Sequence, residues 1–102
     1  MIFRVLPAAL GDALAAASWY DDQQDGLGDE FLDEVQDAWE TIRLAPESVA
    51  RHEQYSGKHE VRRCILKRFP FSVVFLCRPS EIYVVAVAHT RRRPLYWLNR
   101  LA

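Results

Sequence analysis

The chain has 102 residues, half of them hydrophobic and 26% charged, with a net charge of -1 and two cysteines. This describes one domain over residues 1–102, with enough apolar content for a single core. No apolar run approaches the length of a membrane span, and no Cys/His cluster has the spacing of a zinc site, so neither membrane nor metal nor other cofactor is expected. The near-zero net charge hides an asymmetry. Residues 1–50 carry eleven acidic and two basic side chains, whereas residues 51–102 carry eleven basic and three acidic. A basic half of this kind either forms a local site for phosphate or an acidic partner, or is drawn to the acidic half of its own chain.

Met1-Ile2-Phe3-Arg4 lacks the basic region, long apolar core and cleavage site of a signal peptide, so a soluble cytoplasmic protein is expected. Ile2 to Leu6, ending at Pro7, reads as a first strand whose neighbour the sequence does not name. Ala8 to Gln24 is rich in alanine and other strong helix formers. Leu10, Ala13, Leu14 and Ala17 form its apolar stripe, with Tyr20 at the edge. Trp19 falls opposite that stripe, where it either packs on a neighbouring loop or contacts a partner.

Asp25-Gly26-Leu27-Gly28-Asp29 stops this helix and starts another, with Asp29 as the expected N-cap. Glu30, Asp33 and Glu34 suit the opening turns, where the helix dipole favours acid. Phe31, Val35, Ala38 and Ile42 line one stripe, flanked by Leu32 and Trp39, and Pro46 ends the helix. Two amphipathic helices joined by a tight turn form an antiparallel hairpin that must lie on an apolar surface, leaving the acids outside. Pro46 to Glu60 is polar and reads as a loop with a turn at Tyr55-Ser56-Gly57. Its histidines, His52 and His59, read as ordinary surface residues.

Three strand-length apolar runs follow: Val61–Arg68, Phe71–Cys77 and Ile82–His89. The breaks between them are short enough for antiparallel neighbours only, so the runs form a meander. Phe71, Val73, Phe75 and Cys77 point one way, and Val74 and Leu76 the other. A strand apolar on both faces needs cover on both, or a groove on one that a partner fills. One face is expected to stay open. Cys64 and Cys77 read as two buried thiols, with a cross-strand disulfide only if the register opposes them. After His89 come Thr90-Arg91-Arg92-Arg93-Pro94 and a short terminal helix over Leu95–Leu101. The predicted class is α+β: an antiparallel sheet of about four strands, an N-terminal helical hairpin on one face, and the order β-α-α-β-β-β plus a short C-terminal helix.

Several residues then form a recognisable series: Trp19-Tyr20; Gly26-Leu27-Gly28 with Phe31-Leu32; Arg62; Arg68-Phe69-Pro70-Phe71; and Ala86-Val87-Ala88-His89 with Arg92, Pro94, Tyr96 and Trp97. In order and spacing this series resembles the RelE/ParE toxin superfamily, most of all its ParE-like plasmid stabilization branch. The resemblance covers nearly the whole chain. It implies the toxin of a type II toxin–antitoxin module, held by a cognate antitoxin in a heterotetramer or larger complex. It also implies one of two actions, poisoning of DNA gyrase or metal-independent cleavage of mRNA on the ribosome. A third outcome is a homologue that has lost toxicity and only binds its antitoxin.

Each action makes its own demands. A metal-free ribonuclease must activate the 2′-OH, stabilise phosphate charge and protonate the leaving oxygen. His89 is the acid or base for that role, Arg62 and Arg92 the phosphate grip, and Tyr96 a stacking platform or proton donor. A gyrase poison needs only a gripping surface, for which Arg91, Arg92, Arg93, Tyr96, Trp97 and Arg100 are the candidates. Trp19, Arg62, Arg63 and Arg68 are the candidates for antitoxin contact. Each has a plainer alternative: His89 caps a strand, Arg62 and Arg63 pair with the protein's own acids, Tyr96 and Trp97 pack the tail. Lys58 and Lys67 are the only lysines, a departure from the lysine-rich sites of ribosome-dependent cutters that favours the gyrase reading.

Overall fold

The computed structural model describes residues 1–101. Strand β1 (Ile2–Val5) leads into helix α1 (Pro7–Gln23) and helix α2 (Leu27–Leu44). A 3-10 turn at Pro46–Ser48 precedes β2 (Glu60–Ile65), β3 (Phe71–Arg78) and β4 (Glu81–His89), and a second closes the chain at Leu98–Arg100. The sheet order is β1-β4-β3-β2. The α+β class and the order of elements are as the sequence predicts. The meander is antiparallel, and β1 finds its neighbour in β4, to which it runs parallel. No helix among the described residues is long and apolar enough to cross a membrane.

The register of β3 on β4 slips once. Val74 faces Ala86 while Phe75 faces Val84, so Val85 is an extra residue, a β-bulge. It turns Val85 and Ala86 toward the same side, whereas Val84 and Val87 face the helices. The bulge explains why β4 can be apolar at nearly every position.

On the helix side, Phe31, Val35, Ala38 and Ile42 of α2 pack over Val73, Phe75 and Val84, as the α2 stripe predicts. The stripe of α1 differs. Ala9, Ala13 and Ala17 are buried, while Leu10 and Leu14 are 44% and 51% exposed. A residue without a side chain beyond Cβ lets the α1 backbone lie close on β4 and α2, and the leucines are left at the rim. Helix α2 starts earlier than its sequence suggests. Gly26 takes a left-handed φ of 86°, which glycine adopts without strain, and Asp29 falls inside the first turn rather than at the cap. The capping role passes to Asp21 of α1, whose Oδ1 accepts the Gly28 N–H at 2.8 Å.

The other sheet face is not open. Val61, Val74, Leu76, Val85, Ala86 and Ala88 are covered by Trp97 and Leu101, with Tyr55, Leu95 and Tyr96 beside them. The expectation of an exposed sheet face is therefore overturned: the chain's own tail fills it. In the tail the predicted short helix over Leu95–Leu101 is reduced to the 3-10 turn at Leu98–Arg100. Leu95 sits at φ 60°, a left-handed value that breaks any helix begun at Pro94.

Two further expectations change. Strand β2 stops at Ile65, because Leu66 and Phe69 turn into the helix-side core. His52 is 5% exposed rather than a surface residue, with its ring edge-to-face on Trp97 at 5.4 Å. Cys64 faces Val73 while Cys77 faces Glu60, four residues further along β3, so the register does not oppose the two thiols. Both are free.

Candidate functional site

The end of β4, the turn that follows it and the flank of α1 meet at one corner. His89 closes β4 opposite Phe71, and the two rings lie 5.0 Å apart. The His89 Nδ1 accepts the Arg91 N–H at 3.0 Å, and its carbonyl accepts the Arg92 N–H at 3.1 Å. These bonds curl the chain tightly, so that Arg91, Arg92 and Arg93 project in succession. All three are exposed and none forms a salt bridge among the described residues. The Arg92 guanidinium stacks on the Tyr96 ring at 3.8 Å from its centroid, a cation–π contact.

Asp12 of α1 fixes this corner from below. Its carboxylate accepts the Tyr96 O–H at 3.1 Å, the Val87 N–H at 3.1 Å and the Arg100 guanidinium at 2.8 Å. Burial, and then the neighbouring Asp12 charge, push the Tyr96 phenol up to about 12. Arg100 also donates to the Val85 carbonyl at 3.0 Å. Asp12 is the residue that sequence reading missed. The only signal was a charge set among the alanines of the helical run, well before Asp21 and Asp22 at its end.

Between α1 and the end of the sheet lies a groove of about 680 Å³. Ala16, Trp19, Tyr20, Phe71 and Val87 give it an apolar lining, with His89 and Arg92 also on its wall. Trp19 is 58% exposed, edge-on to Tyr20 at 5.2 Å. Of the two readings of Trp19, the structure places it at a groove rather than under a loop.

The sequence-predicted residues thus divide. His89, Arg92 and Tyr96 come together, and Arg91 and Arg93 flank them. Arg62 does not join them. It pairs with Phe75, whereas His89 pairs with Phe71 four residues along β3, a separation of about 13 Å at strand rise. Its guanidinium is held by Glu60 at 2.8 Å and by the Val49 carbonyl. Arg63 points to the opposite face and pairs with Glu53. Arg68 is tied to α2, its N–H to Glu34 and its guanidinium to Glu30, both at 2.8 Å. Trp97 is 1% exposed and belongs to the core. Arg100 is committed to Asp12. The plainer alternatives hold for Arg62, Arg63 and Trp97: Arg62 is held by Glu60 and the Val49 carbonyl, Arg63 pairs with the exposed Glu53, and Trp97 lies in the core. Among the described residues no three His, Cys, Asp or Glu side chains gather as metal ligands would.

Comparison with known proteins accords with this geometry. The family model for the ParE toxin of type II toxin-antitoxin system, parDE, matches residues 3–94. Seven chains of solved structures match. One, from "Chromosomal ParDE TA system from P. aeruginosa", is 25% identical with a TM-score of 0.66, over 87% of this chain and 95% of that one. No curated protein matches.

Proposed function

The chain belongs to the ParE toxin family of type II toxin–antitoxin systems, and from that premise we propose that it acts by gripping DNA gyrase and is neutralised by a cognate antitoxin. The observation that carries the choice of gyrase over mRNA is the Tyr96–Asp12 hydrogen bond. A ribonuclease needs a proton donor beside its phosphate grip. Here Tyr96, the phenol expected to donate, is bound to a carboxylate, its pKa pushed up to about 12, and its ring face is covered by Arg92. Arg62, the other expected phosphate ligand, lies elsewhere. What remains beside His89 is an exposed cationic turn, which suits binding more than proton transfer.

The α1 groove supports the antitoxin part of the reading. An apolar channel with an arginine on its wall fits the apolar face of a partner segment that carries an acidic residue at one edge. The surface candidates are then Trp19 and Arg92 rather than Arg62, Arg63 and Arg68, whose side chains are engaged within the fold.

The test is titration of purified protein into a gyrase supercoiling reaction. Inhibition near stoichiometric toxin, relieved by the antitoxin, is expected, and unaffected supercoiling overturns the reading. One observation favours cleavage of ribosome-bound mRNA instead: His89 and Arg92 line the same groove. Cleavage by the wild-type protein that is abolished in His89→Ala would establish that alternative.

A further inference from the structure

A second, smaller pocket opens on the tail-covered face of the sheet, beneath the Thr90–Trp97 turn. It holds about 80 Å³, roughly the space of two or three waters at about 30 Å³ each. That volume admits a single tetrahedral oxyanion. Its lining is cationic and polar: Arg63, Arg92, Arg93, His52, His89 and Ser72 contribute, and no Asp or Glu does.

Two of these groups sit deep. Ser72 is 2% exposed and His52 5%. His52 Nδ1 accepts the Gln54 N–H at 3.2 Å, so the neutral ring carries its proton on Nε2 as a donor. The Ser72 hydroxyl is a second neutral donor. Arg63 is shared with Glu53, whose side chain is 63% exposed and outside the pocket lining. Donors at the base and guanidinium groups around the mouth form the arrangement that recognises a phosphate.

The mouth also says what carries the phosphate. Arg91, Arg92 and Arg93 stand in sequence beside it, so charges continue outward from the pocket, as a polyanion rather than a lone ion requires. The stacking face of Tyr96 is occupied by Arg92. A splayed single strand would need an open aromatic face at this pocket for its bases, whereas a duplex can be held through its backbone alone.

We propose that this pocket seats one backbone phosphate of duplex DNA, with the Arg91–Arg93 turn meeting the phosphates beside it. The choice of DNA rests on the gyrase reading above; the pocket itself does not.

The test is fluorescence anisotropy of the full chain with labelled random-sequence duplex, without gyrase, across a salt series. Binding is expected with a Kd of about 10⁻⁴ to 10⁻⁶ M and a steep loss with salt. Arg93→Ala should weaken it about tenfold at low salt and lower the salt slope by about one. Ser72→Leu, which fills the pocket, should also weaken it. Should that variant fail to fold, Arg93→Ala, on an exposed residue, still decides. Absence of duplex binding at the lowest salt, or an unchanged slope in Arg93→Ala, overturns the proposal. So does tighter binding of single-stranded RNA. Shifts of the His52 ring signals with inorganic phosphate alone, without duplex binding, would make this a free-phosphate site and overturn the DNA assignment. Supercoiling inhibition without duplex binding sinks this inference and leaves the gyrase reading standing. Duplex binding with normal supercoiling does the reverse.

Discussion

Asp12 and Arg100 lie 88 residues apart and meet at 2.8 Å, and together they finish an edge that β1 leaves incomplete. Strand β1 pairs with β4 only as far as Val84. Beyond it, the Val87 N–H is taken by Asp12 and the Val85 carbonyl by Arg100. Two side chains thus replace a missing strand and fasten the tail at the same time. Asp12→Ala should therefore cost more than a surface ion pair would. It leaves a partly buried guanidinium, a phenol and a backbone N–H without their acceptor, about 3 kcal/mol in all. That corresponds to a fall in Tm of about 10 °C or more for a domain of this size. Asp12→Asn, which keeps an acceptor oxygen, should lose less. Thermal melts of both, and a double-mutant cycle with Arg100→Ala, would check this; melting of Asp12→Ala within a degree of wild type would refute it.

The glycines of the hairpin predict opposite signs. A Cβ on Gly28 would stand 2.3 Å from the Ala17 carbonyl oxygen and 2.7 Å from Asp21 Cγ. The first of these is backbone and cannot step aside without moving α1. Gly28→Ala should destabilise by about 2 kcal/mol or more, because it forces the start of α2 away from α1 at Ala17. A Cβ on Gly11 meets nothing within 4 Å. Gly11→Ala should stabilise by about 0.5 to 1 kcal/mol through helix propensity alone. Urea titrations of the two variants, read as shifts of the midpoint, check both at once.

His52 makes stability depend on pH on the acid side. Burial lowers its pKa, the Arg63 charge lowers it further, and Glu53 opposes the shift. Arg93 and His89, on the other side of the small pocket, add no carboxylate that would favour the charged ring. A histidine with a depressed folded pKa contributes its stability in full above the unfolded value of about 6.5 and loses it as pH falls toward the folded value. The Tm should therefore drop below about pH 6.5 more steeply in wild type than in His52→Gln. Because the ring packs on Trp97, the same descent should appear as a change in tryptophan fluorescence. Parallel pH profiles for the two proteins would remove His52 as the cause.

The sequence carried the elements whose pattern is local. The α2 stripe at Phe31, Val35, Ala38 and Ile42 and the alternation of β3 both read correctly, because each is a single period set against one neighbour. It failed where two distant parts meet. Leu10 and Leu14 outrank alanine on any hydrophobic scale, but α1 lies so close to β4 that only the alanine stripe fits. His52 looked like a loop histidine because nothing nearby announces that Trp97 will close over it. The open sheet face was inferred from apolar β3 and β4, and the tail that covers it, though apolar at Leu95, Tyr96, Trp97, Leu98 and Leu101, is too short and irregular to be seen as a layer. At the corner, His89, Arg92 and Tyr96 were legible through the family resemblance that their series carries. Asp12, which holds Tyr96 and Arg100 in place, was not, because its partners lie at the other end of the chain. Arg62 was misplaced since strand alternation alone does not say how far along a neighbouring strand a residue will land.

If the antitoxin seats in the α1 groove as proposed, Trp19 is the residue its docking should depend on. Two exposed apolar surfaces compete: the groove, where Trp19 stands 58% exposed, and the outer rim of α1, with Leu10 and Leu14. The groove is concave, has Arg92 and His89 on its wall and presents an aromatic side chain, and buried aromatics carry a large share of binding energy at interfaces. The rim offers only aliphatic side chains and no charge from the basic turn. Trp19→Ala should therefore weaken antitoxin binding by about 2 kcal/mol or more, roughly thirtyfold. Its effect on the stability of the isolated toxin should stay within about 0.5 kcal/mol, as for other exposed positions. Leu14→Ser should leave the affinity near wild type. Calorimetric titration of both variants with the antitoxin separates the surfaces, since a loss confined to Leu14→Ser would move the interface from the groove to the rim.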